Sequence, residues 1–201
     1  MDNSVFYQMS SKGYLTTFAV TPDLFEKAIS NNLDGPCSGR DIHHQLLYGD
    51  YITGEYPLYI HFPVIYRQFA GKKMRDVIDT RYDGHVYIIS RRMKQILIEN
   101  AISGWKSYPI VLYDKKNNLI QGYEGFTVTG RGGVMGRLDK RGNLIDSENI
   151  EWRSCQWDGT DVFFVKPNYI IVNERVRTIL KKAKIEALSF KSLDEYNIKV
   201  I

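Results

Sequence analysis

Gly130-Arg131-Gly132-Gly133-Val134-Met135-Gly136 is the stretch whose spacing comes nearest to a phosphate-binding loop, where close-set backbone N–H groups cradle an anion. The match fails on inspection. A G-x-G-x-x-G run beginning at Gly130 needs its third glycine at 135, where Met135 stands, and no Lys-Ser/Thr pair follows. The run reads as a glycine loop between strands, with Arg131 as a guanidinium suited to an anion or to a carboxylate on a partner.

The other candidates are equally incomplete. His43, His44, His61 and His85 lack the H-x-x-x-H or C-x-x-C spacing of a zinc site, so no metal is expected. Cys37 lies near His43 and His44 in sequence, but a thiol nucleophile needs a base brought to its sulfur, and a small loop cysteine is the simpler reading. Asp158 and Asp161, behind Trp157, form the carboxylate pair a hydrolase would use. They also fit an Asp-Gly turn in which aspartate bonds its own backbone. Lys181, Lys182 and Lys184 with Arg177 make a basic helical face able to track phosphates, without the interleaved aromatics of a single-strand binder. No catalytic set and no cofactor follow from these residues. A nucleic-acid-binding module built on the basic C-terminal part, and a hydrolase using Asp158, Asp161 or a histidine, stand as the alternatives to a pure interaction protein.

Arg92 and Arg175 differ from all of these because they belong to a pattern used twice. Ile89-Ser90-Arg91-Arg92-x-x-x-Ile96-Leu97 returns 83 residues later as Val172-Asn173-Glu174-Arg175-x-x-x-Ile179-Leu180. Ser90 and Asn173 each stand between a β-branched run and a helical one, where a short polar side chain accepts from the first free helical N–H groups. Behind them Met93, Ile96, Leu97 and Val176, Ile179, Leu180 repeat at i, i+3, i+4, giving each helix one apolar stripe. The paired arginines are expected to tie each helix to a neighbouring strand or turn through a carboxylate or carbonyl, a use suited to the planar guanidinium fork.

The elements around this pattern are mainly strands. Ser4 to Met9 and Tyr14 to Val20 read as opening strands; Thr21-Pro22 reads as the cap and first turn of a helix reaching Ile29. Leu58 to Phe62 reads as a short strand and Lys72 to Ile78 as a short helix. Trp105 to Tyr113 reads as one strand, and the hairpin signal Asp114-Lys-Lys-Asn-Asn118 is echoed by Asp139-Lys-Arg-Gly-Asn143. The class predicted is α+β: a largely antiparallel sheet with a few helices, containing two similar strand-helix-strand units near 86–112 and 169–193.

With 201 residues, 43% hydrophobic and 25% charged, the chain is long enough and apolar enough for a buried core, and no linker divides it, so a single domain over 1–201 is expected. No secretory signal pattern and no apolar run of membrane-spanning length is present, and the two cysteines, Cys37 and Cys155, are far apart; a cytoplasmic protein with no membrane association is the expectation. The net charge of +4 hides an asymmetry. Residues 1–70 carry 4 Lys/Arg against 7 Asp/Glu, and the remainder is basic.

The repeated Ile-Ser-x-Arg-x-x-x-Ile-Leu core, with the following Gly104-Trp105-x-x-Tyr108-Pro109-Ile110, resembles the immunity proteins of bacterial polymorphic toxin systems, in particular immunity family eleven and its relative family forty-three. The resemblance covers residues 63–196. It implies a non-enzymatic protein that binds and silences a cognate toxin. It carries no catalytic residues and no list of toxin contacts. Inhibitors of basic nuclease toxins are often acidic and this chain is basic, which argues against a strongly cationic partner. The acidic, Tyr-rich N-terminal part, 1–62, offers Tyr48, Asp50, Tyr51, Glu55 and Tyr56 as contact candidates beside Arg131, because tyrosine gives contact area at low ordering cost.

Overall fold

The computed structural model describes residues 5–13, 16–22, 46, 63–78, 80, 85–137, 145, 150–167 and 169–201. Among them the chain is of α+β class, mostly strand, with two α-helices.

The β-branched run that ends at Ser90 forms β5 (Ile88–Ser90), buried throughout, and feeds α1 (Arg91–Glu99); the chain returns as β6 (Trp105–Tyr108). The second run forms β13 (Tyr169–Asn173), which feeds α2 (Glu174–Lys182) and returns as β14 (Leu188–Ser192). Met93 and Leu97 on α1, and Val176 and Leu180 on α2, are the buried members of the two stripes. Both helices end alike. Ala101 and Lys184 take the left-handed conformation one residue past the caps Asn100 and Ala183, and Gly104 and Ala187 take it again three residues on.

Each unit is completed by two more strands in the same order. The first sheet runs β4 (Val77–Ile78), β5, β9 (Tyr123–Val128), β6; the second contains β12 (Val162–Lys166), β13, β1 (Phe6–Ser11), β14. The registers agree pair by pair: Ile88 faces Gly125 as Ile171 faces Gln8, and Trp105 faces Val128 as Leu188 faces Ser11. Yet the inserted strand comes from downstream in one unit and from the N-terminal part of the chain in the other. Buried residues of both units, among them Ile88, Phe126, Val172 and Leu180, pack into one core cluster.

The third sheet, β2 (Ala19–Pro22), β3 (Val64–Ala70), β7 (Ile110–Tyr113), β8 (Leu119–Ile120), joins that core through Val20, Val64, Tyr66 and Leu112. A second cluster gathers around Trp152, where Phe6 meets the indole edge-on at 5.0 Å and Phe163 stacks at 5.5 Å. Trp152 lies on β11 (Ile150–Trp152), parallel to β15 (Ile198–Val200), and its Nε1 donates to the Gly132 carbonyl at 2.7 Å.

Four expectations are corrected. Trp105 to Tyr113 is two strands in two sheets, split at Pro109, whose missing N–H interrupts a ladder while its carbonyl accepts from Val64. Lys72 to Ile78 is not a helix: Lys72 and Lys73 donate to the Thr16 carbonyl, and Val77–Ile78 is β4. Thr21 and Pro22 do not start a helix; they end β2, an edge strand, where proline costs little. The glycine run is no loop. Gly130–Val134 is β10, added parallel to β12, and its glycines answer to close packing: a Cβ on Gly130 would stand 2.1 Å from Thr160 Oγ1 and 2.2 Å from the Val162 carbonyl oxygen. Residues 23–29, the 58–62 segment and the 139–143 echo lie outside the described residues.

Candidate functional site

The two units meet through a pair of polar latches built from the repeated motif. Ser90 and Asn173 cap their helices, accepting from the Met93 and Val176 N–H groups at 3.1 Å each. Each cap then contacts the aspartate that immediately precedes the antiparallel partner strand, β4 or β12: Ser90 Oγ donates to Asp76 Oδ1 at 2.7 Å and Asn173 Nδ2 donates to Asp161 Oδ1 at 2.8 Å. The arginine two residues after each cap reaches the same aspartate, Arg92 to Asp76 Oδ2 at 2.6 Å and Arg175 to Asp161 Oδ2 at 3.0 Å.

The other guanidinium nitrogen crosses between units. Arg92 donates to the carbonyl of Ala183, the C-terminal cap of α2, and Arg175 donates to the carbonyl of Asn100, the C-terminal cap of α1. The aspartates cross as well: Asp76 Oδ2 accepts from the Glu186 N–H at 3.0 Å, and Asp161 Oδ2 from the Ser103 N–H at 2.9 Å. Glu186 and Ser103 stand at the 83-residue separation, as do Ala183 and Asn100. Each latch therefore caps one helix at its start, satisfies an orphan carbonyl at the end of the other, and pins the turn beyond it. The helices must run antiparallel for both contacts to form.

The electrostatics follow from the burial. Asp76 and Asp161 keep only 9% and 13% of side-chain exposure, while Arg92 and Arg175 keep 51% and 49%. Burial pushes the Asp161 carboxyl upward, but the donors from the Ser103 backbone, Asn173, the Ser103 hydroxyl and Arg175 outweigh it and hold the carboxyl below the ordinary aspartate range.

The remaining sequence candidates do not converge. Asp158 accepts from its own turn, Thr160 N at 3.1 Å and Thr160 Oγ1 at 2.6 Å, and from Arg131 N at 2.7 Å, so it and Asp161 serve separate networks rather than one carboxylate pair. The Arg131 guanidinium donates to the carbonyls of Val128, the last residue of β9, and of Gly130, its neighbour on β10, at 3.1 Å each. His85 is buried beside Tyr87, and the Cys155 thiol is exposed. Tyr48, Asp50, Tyr51, Glu55 and Tyr56, with Cys37, His43, His44 and His61, lie outside the described residues. Among the described residues no three His, Cys, Asp or Glu side chains group to hold a metal, and no helix is long and apolar enough to cross a membrane.

Sequence reasoning missed Asp76 as the partner of Arg92. Asp76 and Asp161 are 85 residues apart, not 83, because the connection from β4 to β5 is two residues longer than that from β12 to β13; a search at fixed separation passes over the pair. A two-residue gap ahead of the second cap alone, Asn173, would have found it. No family model matches the chain, and a comparison with curated proteins finds no match.

Proposed function

We propose that this chain is a non-enzymatic binding protein, and that its partner is the toxin of a bacterial polymorphic toxin system, which it binds and neutralises in the cytoplasm of the cell that makes it. One observation supports the first half most. The polar residues that recur with the fold, Ser90, Asp76, Arg92 and their counterparts Asn173, Asp161, Arg175, spend their hydrogen bonds on one another and on helix ends. A reacting group needs a substrate-facing donor or acceptor, and these have given theirs to the scaffold. The second half rests on the resemblance of the repeated core to immunity families eleven and forty-three. On this reading recognition belongs to surfaces outside the latches.

The test is co-expression. The gene directly upstream in the native genome is expressed in a susceptible host with and without this chain, and the two purified proteins are mixed in a calorimeter. A toxic upstream product, survival when the chain is present and a saturable binding isotherm are expected. Survival without binding, or toxicity unchanged by the chain, would remove the proposal.

A further inference from the structure

A strand at the edge of a sheet carries a row of unpaired backbone groups, and edges that serve no partner are blunted. β10 is closed along its outer side: the Arg131 N–H donates to Asp158 Oδ2 at 2.7 Å, the Asp158 N–H returns to the Arg131 carbonyl at 2.9 Å, and the Val134 N–H donates to Gln156 Oε1 at 3.0 Å. β2 ends on Pro22 and β6 runs into Pro109, while β4, β8, β11 and β15 are two or three residues long. β14 has none of these devices. It is five residues, Leu188–Ser192, without glycine, proline or register shift, and among the described residues it pairs with β1 alone.

The pairing decides which groups of β14 face out. The Lys12 N–H donates to the Ala187 carbonyl at 2.8 Å and the Leu193 N–H to the Phe6 carbonyl at 3.3 Å. Bonded residues alternate in an antiparallel ladder, so Ala187, Ser189, Lys191 and Leu193 serve β1, and Leu188, Phe190 and Ser192 turn their backbone groups outward. Both ends of that outer row are closed, for the Glu186 carbonyl accepts from the Val77 N–H at 3.3 Å and the Ser192 N–H donates to Glu195 Oε1 at 2.9 Å. Between them, the N–H and C=O groups of Leu188 and Phe190 meet no partner among the described residues. Two donor–acceptor sets about 7 Å apart are the pattern that an extended backbone matches. The side chains narrow the strand further. Leu188 and Phe190 are half-buried against the main core, Phe190 opposite Met9, whereas Lys191 lies on the other face over the Tyr196 ring at 3.9 Å. An added strand with apolar side chains at alternate positions therefore continues the core beside Leu188 and Phe190. A second copy of this chain would set its own basic part against itself, since residues 71–201 carry 23 Lys/Arg against 16 Asp/Glu. We propose that the outer edge of β14 is the toxin-binding edge, and that an extended strand of the toxin, apolar at alternate positions, adds to the sheet there. The inference rests on the toxin-binding reading and supplies its surface and mode of recognition.

Amide hydrogen exchange of the unaltered full chain, with and without the purified product of the upstream gene, tests this directly. In the free chain Leu188 and Phe190 are expected to exchange faster than Ser189 and Lys191, whose N–H groups are bonded to β1. In the complex they should slow by about tenfold or more. Phe190→Pro removes an outward N–H and is expected to weaken toxin binding by about tenfold or more in calorimetry. Circular dichroism and thermal melting check that this variant still folds; if it does not, the exchange of the unaltered chain decides alone. A toxin that is bound and neutralised while Leu188 and Phe190 exchange as before would overturn the proposal and leave the toxin-binding reading standing. A folded Phe190→Pro chain that binds like the parent would do the same. An upstream product that the parent chain does not bind would overturn both. Protection of Leu188 and Phe190 that grows with the concentration of the chain alone would assign the edge to a second copy and overturn the proposal.

Discussion

Asp161 concentrates the chemistry of the latch in one side chain. It accepts from a cap, an arginine, a hydroxyl and a backbone N–H, and stays charged despite burial because those donors favour the carboxylate. A folded-state value held below the unfolded one, near 3.9 for a free aspartate, gives stability that is fully present above the unfolded value and is lost as pH falls through the folded value. The unfolding free energy of the parent should therefore drop as pH falls below about 4, and Asp161→Asn should be less stable at neutral pH with a flatter profile in that acid window. Urea unfolding at pH 7 and at successively lower pH reads both. Equal acid slopes for parent and variant would detach Asp161 from the latch. At this scale the sequence was partly legible: Ser90, Asn173, Arg92 and Arg175 could be named from spacing alone. Their acceptors could not, because Asp76 falls two residues out of register and Asn100 and Ala183 act through backbone carbonyls that carry no side-chain signal.

Elements were legible where local pattern and burial agree. The stripes of α1 and α2 are read correctly because Met93, Leu97, Val176 and Leu180 face the core at helical spacing. Lys72 to Ile78 misleads because its propensity is helical while its backbone N–H groups are claimed by the Thr16 carbonyl, a contact from a distant segment. The run at Gly130–Val134 misleads for another reason. Glycine density suggests a loop, whereas β10 uses glycine so that Thr160, Val162 and Phe163 can approach its backbone. Gly130 shows no left-handed backbone conformation, so a methyl group there acts through space alone. Gly130→Ala is expected to destabilise the chain by about 1–3 kcal/mol, as overpacked sites do. A change under about 0.5 kcal/mol in urea unfolding, the size of an ordinary surface substitution, would show that the run is as loose as a loop.

Across the molecule, the repeat is closed in two different ways. β9 follows its unit in sequence, while β1 precedes the other by most of the chain, so the fourth strand of one half is recruited from the far end. Nothing in the residues of β1 announces this, since Tyr7 and Gln8 stand where Glu124 and Gly125 stand in the first unit. Only the pairing registers reveal the equivalence. What then holds the halves in one arrangement, beside their common core, is a set of crossing bonds: Arg92 to the end of α2 and Arg175 to the end of α1, with Asp76 and Asp161 accepting from the Glu186 and Ser103 N–H groups beyond those ends. If those arginines are scaffold, their loss is felt as stability before anything else. The decisive measurement is the unfolding free energy of Arg92→Ala, Arg175→Ala and the double variant. Each single change is predicted to cost about 1 kcal/mol, the scale of a half-exposed charged hydrogen bond, and the double at least the sum. Stability equal to the parent's in all three would contradict the account.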